Sequence, residues 1–307
     1  MFELTIIGGG PAGVAAGVYA CRKQLKTLFI TKDWGGQSTV SEEIQNWIGT
    51  PKISGADLAT NLKEHLLTYA HDCLTVKDKS QVTQISRSDS GYLIVTESGE
   101  QFETKAILIA SGSKRRQLNT KGADIFEHKG LTYCASCDGP MFSGQLVAVI
   151  GGGNAAFETA AQLLAYAKHV TLFQRSAEYK ADPVTVKRVL SHPNMTGLTN
   201  VDLNEIVGDR FVSGIKYTDK LTGTEHELPV NGIFVEIGMI PNTDYLGDLV
   251  ARDEYNRIII DPWTQQTKTS GIWAAGDCTN ILYHQNNIAA GDAVRALEDI
   301  YVTLRTK

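Results

Sequence analysis

No apolar run in this sequence approaches the roughly 18 residues that cross a bilayer, and no basic segment followed by an apolar stretch opens the chain. A cytoplasmic protein with no membrane partner is the expectation. Positive charge is also short. The 29 Lys and Arg residues face 34 Asp and Glu, leaving a formal charge of −5 and no field to hold a nucleic-acid backbone. Prolines number only 8, and no low-complexity linker interrupts the 307 residues. The five cysteines, in a cytoplasmic setting, exclude a structural disulfide framework, so any disulfide here is expected to be catalytic. No Gly-x-Ser-x-Gly elbow and no Walker lysine occur, and the histidines lack metal spacing. Hydrolase and phosphotransferase chemistry therefore have no nucleophile and no phosphate loop.

What the sequence does contain is glycine, 29 residues of it, and an internal repeat. Ile6-Ile7-Gly8-Gly9-Gly10-Pro11-Ala12-Gly13 returns as Val149-Ile150-Gly151-Gly152-Gly153-Asn154-Ala155-Ala156, a domain's length later. Each copy follows an apolar run and precedes a small-residue stretch that suits a helix, Ala15 to Arg22 and Ala155 to Lys168. A second apolar run then completes each unit, Thr27 to Ile30 and Val170 to Phe173, as in a βαβ unit with parallel strands. The expected fold class is α/β, with two Rossmann-like three-layer dinucleotide-binding domains. Gly91 to Thr96 and Gly214 to Thr218 read as antiparallel meanders added to the two sheets. Crossings near Lys114 to Gln117 and Met239 to Thr243 make the first domain discontinuous, 1–114 with 243–307, and the second an insertion, 115–242.

Gly8, Gly10 and Gly13 match the dinucleotide fingerprint: a sharp turn, a bare backbone for pyrophosphate, and close helix–strand packing. The acid that would bind ribose is expected at the next strand end, where Asp33 is the nearest carboxylate and sits late. Gly151, Gly153 and Ala156 form the second copy, with Asn154 inside it. Its strand ends Phe173-Gln174-Arg175-Ser176, neither the acid of a clear NAD site nor the basic cluster of a clear NADP site. Arg175 and Lys180 suit a 2′-phosphate and equally suit two solvated cations. Ser111-Gly112 and Gly276-Asp277 follow further strands and bring bare backbone to a ligand.

The sharpest chemical signal is Cys134-Ala135-Ser136-Cys137, followed by Asp138. Two thiols at this spacing close a small disulfide, and at a helix N-terminus one of them becomes nucleophilic near neutral pH. Zinc needs about four ligands, and neither a second pair nor paired histidines accompany this one, so no metal is expected. Asp138 suits a proton shuttle to the leaving thiolate and equally a helix cap. Cys21, Cys73 and Cys278 read as inert small side chains.

These residues resemble the low-molecular-weight thioredoxin reductase family of FAD-dependent pyridine nucleotide-disulfide oxidoreductases, and also the flavoprotein of the alkyl hydroperoxide reductase system. The resemblance spans the chain through Gly8 to Gly13, Gly35-Gly36-Gln37, Gln45-Asn46-Trp47, Cys134 to Gly139, Gly151 to Asn154, Pro241-Asn242-Thr243, Ala274 to Asp277 and Gln285. It implies FAD in the first domain, near Gly8, Gly10, Gly13, Gly36, Gln37, Asn46, Gly112, Gly276, Asp277 and Gln285. It implies NADPH or NADH in the inserted domain, near Gly151, Gly153, Asn154, Ala156 and Arg175. By the same resemblance Cys137 faces the flavin, Cys134 attacks the partner's disulfide and Asp138 is the acid. The partner is then a thioredoxin- or glutaredoxin-like protein, and the enzyme a homodimer. Gln174-Arg175-Ser176 replaces the usual His-Arg-Arg, and His284 stands where Arg or Lys is usual. The donor therefore stays open between the two nucleotides. A ferredoxin-dependent flavin thioredoxin reductase, a non-enzymatic redox-sensing flavoprotein and a dithiol oxidase are the rival readings.

Overall fold

The computed structural model describes residues 1–41 and 43–306. From the N-terminus run β1 (Phe2–Gly9), α1 (Pro11–Arg22), β2 (Thr27–Trp34), α2 (Gly55–Thr68), β3 (Leu74–Lys77), β4 (Val82–Ser88), β5 (Gly91–Thr96), β6 (Gln101–Ile109) and β7 (Ser113–Arg115). Next come α3 (Ala123–Phe126), β8 (Leu131–Thr132), α4 (Ala135–Asp138), β9 (Leu146–Ile150), α5 (Asn154–Leu163), β10 (His169–Phe173), α6 (Pro183–Leu190) and β11 (Met195–Leu198). The strands β12 (Val201–Gly208), β13 (Val212–Asp219), β14 (Glu225–Pro229), β15 (Gly232–Val235), β16 (Met239–Pro241) and β17 (Ile272–Ala274) follow, and α7 (Asn286–Thr306) ends the described chain. The chain divides into two compact units, Met1–Lys114 with Ile240–Lys307, and Arg115–Met239.

In the first unit β3, β2, β1, β6 and β17 are neighbours and parallel, with Leu4 opposite Thr27 on one side of β1 and opposite Ala106 on the other. Strand order thus reverses at β1, and the crevice at the carboxyl ends of β1 and β6 is where such sheets hold ligands. Alternation decides the two faces. Leu4, Ile6, Phe29, Leu108 and Trp273 pack with α1, α2 and α7, whereas Ile7, Leu28, Ile30, Ile109 and Ile272 pack on the opposite side. Because both faces are covered, these strands read as continuous apolar runs. The fully buried Trp273 donates its indole N–H to Asp299 on α7 at 2.8 Å, tying that helix to the sheet.

The second unit repeats the plan with a parallel sheet in the order β11-β10-β9-β15-β8. Val147, Val149, Val170, Leu172 and Phe234 face one core, and Ala148, Ile150, Phe173, Ile233 and Val235 the other. The α/β class with two Rossmann-like domains is as expected. The two meanders differ. β5 and β4 extend the first sheet through β6, as expected, but β12-β13-β14 form a sheet of their own. In the second sheet β15 pairs with β9 on one edge and β8 on the other, and the meander packs over the Ile150–Val235 face through Ile206, Val212 and Ile215. Helix α5 also stops at Leu163, short of Lys168, whose N–H instead donates to Gln145 at 2.9 Å.

Candidate active site

In the first unit the turn after β1 places Gly10 as the cap of α1, with Pro11 at the first helical position. Gly13 packs so tightly on the strand that a Cβ there would lie 1.8 Å from the Gly8 carbonyl oxygen. Gly10 is the opposite case: a Cβ would meet nothing nearer than the Gly36 Cα at 3.8 Å. No side chain caps α1 and no acid sits in its first turn, so its leading N–H groups are left for an anion. Gly36 opens a one-turn 3-10 helix, Gly36–Val40, that carries Gln37 and Ser38. Ser38 donates to the Asn286 side chain at 3.1 Å, and Asn46 donates to Gln285 Oε1 at 3.2 Å. Asn287 in turn donates to the Asn46 carbonyl at 2.7 Å.

The start of α7 is therefore sewn to the 36–46 segment. Gly112 adopts a left-handed φ of +62° with open space above it, and Asn242 donates from its backbone to the Gly112 carbonyl at 2.9 Å. Asp277, after Gly276, lies 3.3 Å from His284 Nδ1. In the sequence His284 stands out only as a departure from the usual Arg or Lys, and nothing there marks its pairing with Asp277. Asp33 lies near the end of β2, exposed, and its carbonyl accepts from Thr31 at 2.6 Å.

In the second unit the corresponding turn leaves Gly153 as an uncapped N-cap of α5, and a Cβ there would meet nothing within 4 Å. Ala156 is fully buried against the turn, while Asn154 accepts from the Asp182 N–H at 2.8 Å. Gln174, buried at the end of β10, spends its amide locally. It donates to Ser176 at 2.8 Å and to the Glu178 carbonyl at 2.9 Å, and accepts from the Arg175 N–H at 3.2 Å. Arg175 and Lys180 are exposed beside the turn, and the Lys180 N–H donates to the Gly152 carbonyl at 2.7 Å.

The same unit carries the cysteine pair. Cys134 and Cys137 are disulfide-bonded with Cα atoms 5.3 Å apart, and Cys134 is the N-cap of α4, its sulfur accepting the Cys137 N–H at 3.2 Å. A residue that the sequence does not single out, Thr132, joins them. Its buried hydroxyl donates to Asp138 Oδ2 and accepts the Cys134 N–H at 3.3 Å. Asp138 is thus joined to the Cys134 backbone through one hydroxyl. The only signal in sequence was proximity, two residues ahead of the pair, which a hydroxyl in a short buried strand rarely repays.

A model of the pyridine nucleotide-disulphide oxidoreductase family matches residues 2–294. The chain belongs to this family. Among its relatives, a component of the alkyl hydroperoxide reductase of Escherichia coli is 38% identical over 308 residues, covering 100% of the chain and 59% of that protein. A Bacillus subtilis protein named NADH dehydrogenase is 37% identical over 295 residues, covering 96% of the chain and 57% of that protein. The chain thus spans less than two thirds of the length of these relatives. Thioredoxin reductase from Streptococcus pyogenes is similar in structure with a TM-score of 0.90 and 31% identity, covering 100% of this chain and 99% of that one. The enzyme from Giardia duodenalis reaches 0.93 at 29% identity with the same coverage.

Members of this oxidoreductase family use FAD and NAD(P)H. Both turns fit such groups. Each ends in an uncapped helix with no first-turn acid, and Gly10 and Gly153 leave open the space that a side chain would fill.

Proposed function

We propose that the chain reduces protein disulfides, with electrons passing from NADH or NADPH by way of FAD to Cys134 and Cys137, and then to a thioredoxin- or glutaredoxin-like protein. The observation that carries this reading is the Cys134–Cys137 disulfide, held on the Thr132–Asp138 hydrogen bond in the unit that bears the second glycine turn. The names of similar proteins support it: thioredoxin reductase for the acceptor and NADH dehydrogenase for a nicotinamide donor. FAD would be held by Gly8, Gly10, Gly13, Gly36, Gln37, Asn46, Gly112, Gly276, Asp277 and Gln285. The nucleotide would be held by Gly151, Gly153, Asn154, Ala156 and Arg175. When bound, FAD supplies a two-electron relay between nicotinamide and disulfide.

In the reduced pair Cys134 is the nucleophile, because its sulfur receives the Cys137 N–H and a thiolate there is favoured. It attacks one sulfur of the partner's disulfide, forming a mixed disulfide and expelling a thiolate that takes its proton from Asp138. Cys137 then attacks the Cys134 sulfur, the second partner thiol leaves, and the Cys134–Cys137 bond re-forms. The cycle balances as NAD(P)H, one proton and one disulfide giving NAD(P)+ and one dithiol.

The test is an anaerobic titration of the flavin absorbance with NADH, NADPH and reduced ferredoxin in separate samples, followed by turnover with oxidised thioredoxin. Bleaching by a pyridine nucleotide is expected. Cys134→Ser and Cys137→Ser should keep bound FAD and flavin reduction but lose turnover. Bleaching by ferredoxin alone would remove the nucleotide from this reading, and a serine variant with full turnover would remove the thiol pair.

A further inference from the structure

Glu236 directly follows β15, at the carboxyl end of the second unit's parallel sheet, where strand order reverses between β9 and β15. Its N–H donates to the Ile150 carbonyl at 2.8 Å, and its own carbonyl lies so close to the turn that a Cβ on Gly151 would be 2.2 Å away. The side chain is partly exposed, and Oε1 accepts from the Thr159 hydroxyl at 2.8 Å. Thr159 belongs to α5, the helix whose N-terminus the glycine turn forms. Among the described residues, the charged groups facing Glu236 are Glu158 from α5 and Arg115 from β7, while β9 contributes only Ile150 and the glycine turn. A carboxyl group thus shares the crevice with the bare backbone of Gly151 and Gly153.

We propose that the pyridine nucleotide binds with the Glu236 carboxyl in its neutral form, so that nucleotide binding takes up a proton and Glu236 is a positioning residue of the crevice. This rests on the nucleotide reading above. The physical reason is electrostatic. A pyrophosphate drawn to an uncapped helix N-terminus is opposed by a carboxylate on the adjoining strand. A neutral carboxyl removes it and adds an O–H donor for a phosphate or ribose oxygen. Burial is already pushing Glu236 up to about 7, against the Thr159 hydrogen bond and the Arg115 charge, with Glu158 adding to the rise. The free protein therefore carries a mixture of forms at neutral pH. The sign follows: affinity is highest below this value and falls as pH rises through it.

The experiment is calorimetric titration of the oxidised, FAD-loaded protein with NAD+ and NADP+, in two buffers of different ionisation enthalpy, from pH 6.5 to 8.5. The wild type should take up about 0.7 of a proton per nucleotide at pH 7.5, and Kd should rise more than about tenfold across the range. Glu236→Gln, close in shape, should take up no proton and show a flat Kd. Thr159→Val removes a bond that favours the ionised form, so its uptake should extend to higher pH. A wild type that binds without proton uptake, or an E236Q protein that keeps the wild-type slope, overturns the proposal while leaving the nucleotide reading intact. Failure of the wild type to bind either nucleotide overturns both.

Discussion

The side-chain amide of Asn46 donates to Gln285 Oε1 at 3.2 Å across 239 residues of sequence. With the Asn287 bond to the Asn46 carbonyl, it fixes the start of α7 against the segment after the 3-10 helix. If these groups line the FAD crevice, Gln285→Ala should weaken FAD by about tenfold, the value of one good hydrogen bond in a closed site. The fold should survive, since both side chains are exposed in the free chain. FAD retained after gel filtration, together with far-UV circular dichroism, would check this. Undiminished FAD affinity would place the contact outside the site.

Two glycines at different positions of the two fingerprints should respond in opposite ways. At Gly13 a Cβ would be 1.8 Å from the Gly8 oxygen, a backbone atom that cannot rotate away, so Gly13→Ala should cost several kcal/mol and shift the unfolding midpoint strongly. At Gly153 a Cβ meets nothing within 4 Å, so Gly153→Val should leave denaturant unfolding nearly unchanged. Its loss should appear instead as weaker NADH or NADPH binding, because the added methyls stand where the pyrophosphate is expected. Equal stability losses in both variants would contradict this contrast.

The three remaining cysteines are not equivalent. Burial, aided by the neighbouring Cys73, pushes Cys21 up to about 12, and burial pushes Cys278 up to about 11. The thiolate is the reactive form, so both should resist alkylation in the folded protein at pH 8. Iodoacetamide applied to the dithiol-reduced enzyme should label Cys134 and Cys137 within minutes and leave Cys21 and Cys278 unmodified until denaturant is added. Peptide mass spectrometry reads the order directly.

Arg175 bears on the choice of donor. Gln174 turns its amide into its own loop, which leaves Arg175 and Lys180 as the exposed cations beside the second turn. Arg175→Ala should raise KM for NADPH about tenfold and leave KM for NADH within about twofold, as expected for one lost phosphate contact. An equal effect on both nucleotides would assign Arg175 to the shared pyrophosphate or to solvent.

The glycine spacing, the apolar runs and the repeat made the two parallel sheets legible, because backbone geometry at Gly8 or Gly151 allows few alternatives and period-free apolar strands mean burial on both faces. What stayed hidden depends on the tertiary arrangement. The independent β12-β13-β14 sheet goes with β15 being paired on both edges, by β9 and by β8, which no local pattern records. Thr159 and Glu236 acquire meaning only when a strand end meets a helix far along the chain, and Thr132 only when the short strand before the cysteine pair turns its hydroxyl onto Asp138. Gln174 was visible as neither acid nor cation, but only its three local hydrogen bonds show why it does not reach outward.

Thr132 and Asp138 divide a task that sequence reading gave to Asp138 alone. The hydroxyl donates to the carboxylate and accepts the Cys134 N–H, so it holds the acid in place and links it to the backbone of the nucleophile. Asp138→Asn removes the proton donor and should lower thioredoxin turnover about 100-fold, within the range for a lost acid catalyst. Thr132→Val keeps the acid but frees its position, so turnover should fall less, about tenfold. Neither change should slow flavin reduction by nucleotide, which stopped-flow absorbance measures apart from thiol exchange. A D138N enzyme with normal turnover would leave Asp138 as a structural partner of Thr132, and a T132V enzyme with normal turnover would show that its hydroxyl does not position the acid.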